Sequence, residues 1–82
     1  MLAEHTLIHL RESLEELQRT IRECESDPAY DDGAFFVAMQ HLYGHLNTAW
    51  NTRHLDPDRV SSMSDAEFHE WRAFPTDLDL TS

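Results

Sequence analysis

Apolar and polar positions follow a helical period over the first third of the chain. Ala3, Leu7, Leu10, Leu14, Leu17, Ile21 and Cys24 recur in alternating steps of four and three, a heptad seam covering about 100° of a helix. The intervening positions are polar or charged, among them Glu4, Arg11, Glu12, Glu15, Glu16, Arg19, Arg22 and Glu23. The pattern predicts a helix over about residues 3–25, solvated on most of its circumference and packed along the seam. Ile8 lies well off that side, and one such residue is ordinary on a surface. Cys24, on the seam, is expected to be a buried, inert thiol, since reactivity needs exposure and a depressed pKa.

Turn formers interrupt the period at residues 26–33, "SDPAYDDG". Asp27 before Pro28, or Asp31 and Asp32 a turn later, supply the cap of a second helix, and the acids suit its positive N-terminal end. That helix is predicted over about residues 33–54. On a wheel stepped at 100° per residue, Phe36, Trp50, Met39, Leu46, Phe35, Leu42, Ala49 and Ala38 join Tyr43 in an arc of roughly 160°. Such an arc is wider than one neighbouring helix covers, so the second helix is the central element.

Asp56-Pro57 restarts a short turn, and "MSDAEF" then combines Ser64 and Glu67 as a capping box with Met63 and Phe68 as a hydrophobic staple. A third helix over about residues 65–74 is predicted to end near Pro75. Phe68, Trp71 and Phe74 are expected to lie across the hairpin. Residues 1–75 thus make a single helical domain, followed by a mobile acidic tail at residues 76–82.

Charge and size refine this picture. Sixteen Asp and Glu oppose six basic residues, all arginine, for a formal charge of −10. A surface of this sign repels nucleic acid and anionic membranes, and no direct binding to either is expected. The six histidines offset more than half of that charge when protonated. No apolar run approaches the roughly 18 residues of a membrane span and no secretory leader opens the sequence, so a soluble cytoplasmic protein is expected. An 82-residue chain buries only about 60–65% of its unfolded surface, and one cysteine excludes an intrachain disulfide. Metal or self-association remains as the source of further stability.

The densest set of reactive groups is "HLYGHLNTAWNTRH", residues 41–54. The wheel divides it into faces. Tyr43, Leu46 and Trp50 fall on the apolar arc and His41 and His45 on the opposite side. Gln40, Gly44, Asn47 and Asn51 form a polar stripe between, suited to bond the connection after residue 51 or a partner chain. Gln40, Tyr43, Asn47, Trp50, Asn51 and His54 are therefore the candidate interaction surface, with His54 and Arg53 also suited to the helix C-terminus. The i, i+4 pairs His5 with His9 and His41 with His45 have the spacing of helical metal ligands. With a turn near 27–31, however, antiparallel partners have numbers summing to about 58 or 59. His5 and His9 then lie roughly 15 Å or more from His41 and His45, both pairs facing outward, and His54 approaches His5. No Glu-x-x-His pair provides a di-iron signature. There is no phosphate-cradling loop, nucleophile elbow or metalloprotease helix.

The expected fold is all-α: an antiparallel two-helix hairpin followed by a short third helix, forming a helical-bundle homodimer. The expected function is that of a small non-catalytic interaction or adaptor protein that needs no cofactor and takes a protein partner. The alternatives are a metal-binding protein using His41 and His45 and an acidic DNA mimic that inhibits a nucleic-acid-binding protein.

Overall fold

The computed structural model describes residues 2–81 and contains α1 (Glu4–Ser26), α2 (Asp32–Asn51), α3 (Pro57–Ser61) and α4 (Asp65–Trp71). No strand occurs among the described residues. Met1 and Ser82, the outer ends of the expected domain and tail, lie outside them.

Local chemistry accounts for the boundaries. The Asp27 carboxylate accepts from Ala29 N–H at 2.9 Å and shapes the hairpin turn. Asp31 then caps α2 by accepting from Ala34 N–H at 2.9 Å. α2 stops at Asn51, three residues short of the predicted end at 54. The Thr52 hydroxyl donates to Thr48 O at 2.6 Å, and residues 52–54 turn away. The Asp56-Pro57 turn is a short helix in its own right, with Asp56 as cap and Pro57 in the first turn. In α4 the capping box is complete: Glu67 N–H donates to Ser64 Oγ at 3.2 Å, and Ser64 N–H to Glu67 Oε1 at 3.0 Å. Arg59 pairs with the same Glu67 and ties α3 to α4. α4 ends at Trp71 rather than 74, because the chain tightens there through Ala73 N–H to Glu70 O.

α1 and α2 form the antiparallel hairpin, but not through the predicted seam. The buried residues of α1 are Thr6, Ser13, Glu16 and Thr20, about a quarter turn from the seam on a 100° wheel. Leu10, Leu14, Leu17 and Ile21 are exposed, as is Cys24, contrary to the expectation of a buried thiol. Opposite the small polar residues lie Ala38, Leu42 and Ala49 of α2. The reason is steric. Ser13 Oγ donates to its own helix at His9 O, 2.8 Å away, so it presents a small, satisfied surface across which two backbones come close. Glu16 is held beside Arg19.

Ala38, Leu42 and Ala49 are the buried hydrophobic residues among those described. The molecule is elongated, 43 × 27 × 27 Å, with a radius of gyration of 14.6 Å against about 11.7 Å for a compact chain of this length.

Candidate functional site

The polar stripe of α2 faces the C-terminal end of α4. A helix leaves its last carbonyls without intrahelical donors, and here two asparagines supply them. Asn47 Nδ2 donates to Arg72 O at 2.9 Å, while Asn51 Nδ2 donates to Trp71 O at 2.8 Å and Ala73 O at 2.9 Å. The expected partner was the connection after residue 51; the actual one lies twenty residues further on. Gly44 completes the seat, because a Cβ there would overlap the Arg72 guanidinium. Arg72 in turn lies over the Phe68 ring at 5.1 Å.

Beside this clamp the aromatic residues hold the chain after α4. Tyr43 and Phe74 pack with ring centroids 5.2 Å apart. Trp50 Nε1 donates to Asp77 Oδ1 at 2.9 Å, with the Arg53 guanidinium 3.6 Å over the Trp50 ring. The Trp50 N–H, supported by Arg53, holds the Asp77 carboxyl below its ordinary range. Gln40 lines an open groove with Phe36, Met39 and Phe74. His54 is exposed and apart from this set. Of the six candidate surface residues, the structure thus brings Tyr43, Asn47, Trp50 and Asn51 onto the chain's own C-terminal segment.

The histidines are placed differently from the expectation of two outward, separated pairs. His9 Nδ1 and His45 Nδ1 are 3.0 Å apart across the hairpin, one ring donating and the other accepting. His5 Nε2 donates to Thr52 O at 3.0 Å, so His5 meets the end of α2 through Thr52 rather than His54. His41 Nδ1 lies 4.0 Å from Glu16 Oε1. His9 and His45 have numbers summing to 54 rather than 58 or 59, so the register brings them level, and the buried side of α1 is turned about a quarter turn from the seam towards His5 and His9. Burial first, then the neighbouring His45, holds the His9 imidazole below its ordinary pKa of 6.5. His5 and Arg72 act in the same direction and Glu12 against it. His41 and His45 turn to different partners, and no group of three or more His, Cys, Asp or Glu is arranged to hold a metal ion among the described residues.

The remaining feature is an open apolar face. Leu2, Leu10, Leu46, Ala49, Trp50 and Leu78 line a groove of about 420 Å³ between α1 and α2. The Thr6 hydroxyl is buried at its edge without a partner. Because residues of both helices line it, the α1 seam and the α2 arc share one side of the hairpin. Towards the turn Leu14, Leu17 and Ile21 of the same α1 seam are exposed, as is Phe35 of α2. Periodicity identified these residues but assigned the seam to the hairpin's interior. A missed signal is the second α1 column, Thr6, Ser13 and Thr20, at the same helical spacing and small enough for close packing.

No helix among the described residues is long and apolar enough to cross a membrane. Comparison with protein-family models, curated proteins and solved structures finds no match.

Proposed function

We propose that this protein is a small, non-catalytic helical interaction module that self-associates, two hairpins closing their apolar faces on each other as a homodimeric bundle. One observation carries the reading: Leu10, Leu14, Leu17 and Ile21 form a regular stripe that the chain leaves exposed, while its own buried apolar core is Ala38, Leu42 and Ala49. Large contiguous apolar patches on soluble chains mark contact surfaces, and a core this small needs help from association. The acidic remainder of the surface, formal charge −10, favours protein contacts over nucleic acid or anionic lipid. Neither the paired-histidine metal reading nor the DNA-mimic reading gains an observation of its own.

Light scattering of the purified chain at tens of micromolar tests the proposal. A particle of about twice 9.6 kDa is expected; one of 9.6 kDa overturns self-association.

A further inference from the structure

Resting on that self-association, we infer its geometry: α1 packs against α1 of the second copy, antiparallel, with the two-fold axis passing between Leu14 and Leu17. A two-fold interface must be complementary to itself. From Leu7 to Cys24 the seam advances by three, four, three, four and three residues, a series that reads the same from either end and is centred between Leu14 and Leu17. Antiparallel alignment about that centre sets Leu14 of each copy against Leu17 of the other. Leu10 then meets Ile21, and Leu7 meets Cys24. These six positions all find an apolar partner, while Ala3, the first position of the seam, falls beyond the end of the other copy's α1.

Charge selects this direction over the parallel one. Glu23, Glu25, Asp27, Asp31 and Asp32 are all exposed at the hairpin tip. Parallel packing would set two such clusters side by side, where like charges repel. Antiparallel packing separates them by about the length of α1, roughly 35 Å at 1.5 Å per residue, several times the Debye length of about 8 Å at physiological salt.

The chain exposes 6171 Å², whereas a compact folded protein of its mass exposes about 5,100 Å². The excess, roughly 1,000 Å² over the whole elongated molecule, leaves room for the about 800 Å² per partner that a standard specific interface buries.

The native cysteine serves as a reporter. Within one chain, positions 7 and 24 are separated by roughly 25 Å along a single helix, far beyond the under-7 Å Cα separation a disulfide needs. Any Leu7→Cys disulfide to Cys24 is therefore between copies. Under mild oxidation the Leu7→Cys chain is expected to run as a covalent dimer for most of the material on a non-reducing gel. The wild type and Leu7→Cys/Cys24→Ser are expected to stay uncrosslinked, because like positions lie far apart. Light scattering in reducing buffer accompanies each variant. Wild-type crosslinking through Cys24 alone shows parallel pairing and overturns the inference. So does a particle of dimer mass in which Leu7→Cys fails to crosslink, and in that case self-association stands. A monomeric mass for the wild type overturns both.

Discussion

The two sides of α1 differ in a way that composition alone would invert. The side against α2 carries Thr6, Ser13, Glu16 and Thr20, with His5 and His9 beside them; the side left open carries Leu10, Leu14, Leu17 and Ile21. The difference shows that helix packing selects for shape before hydropathy. Small hydroxyl residues on this side let the α1 and α2 axes come close: Ser13 is bonded to its own helix at His9 O, whereas the Thr6 hydroxyl is buried without a partner. Large branched side chains hold axes apart, and here the chain leaves them at the surface.

Placing a charge on the open side should have the largest effect. Leu17→Glu adds two carboxylates beside the two-fold, and the expected outcome is at least about a hundredfold weaker association, of order 3 kcal/mol. Light scattering should fall to the 9.6 kDa monomer, with helical circular dichroism retained. A Leu17→Glu chain that remains dimeric would remove the open side from the interface.

The converse change enlarges the close side. Ser13→Leu inserts a branched side chain where the backbones approach, and overpacking of this kind costs about 1–3 kcal/mol. It should lower the urea midpoint at fixed protein concentration. An unchanged midpoint would mean that the small column does not set the helix separation.

A smaller effect is expected on a third side. Asn51→Ala removes both donors to Trp71 O and Ala73 O, a loss of about 1–3 kcal/mol. Hydrogen exchange should accelerate in α4 and leave mid-α1 amides unchanged. Uniform acceleration along the chain would show that α4 and the hairpin open as one unit.

The gentlest test is pH. The His9 pKa in the folded protein lies below its ordinary 6.5, chiefly through burial, so the unfolded chain binds the proton more tightly than the folded one. The stability this gives is fully present above pH 6.5 and declines as pH falls through that value towards the lower folded pKa. Thermal midpoints measured from pH 7.5 to 5.5 should fall more steeply for wild type than for His9→Asn. Parallel slopes would place the sensitivity in other groups.

Several elements follow from short-range chemistry and are legible in the sequence. The capping box of Ser64 and Glu67 is made by residues three apart, and it forms as their spacing predicts. The Asp31 cap and the turn before it are equally local. The polar stripe containing Asn47 and Asn51 was recognisable by spacing as a bonding surface, but its acceptors were not. Those carbonyls belong to Trp71, Arg72 and Ala73, and their position depends on how α3 and α4 fold back.

The sequence by itself therefore determined that the chain is all-helical, where α1, α2 and α4 start, and which apolar columns its helices carry. Each of these depends on interactions within about one helical turn. Tertiary structure decided which column of α1 meets α2, that His9 meets His45, and that the amide stripe holds the chain's own C-terminal segment. Those outcomes depend on side-chain volume and axis separation across elements, and a hydropathy period contains neither. The period records that Leu14 belongs to an apolar column; the packing of α1 against α2 leaves that column at the surface.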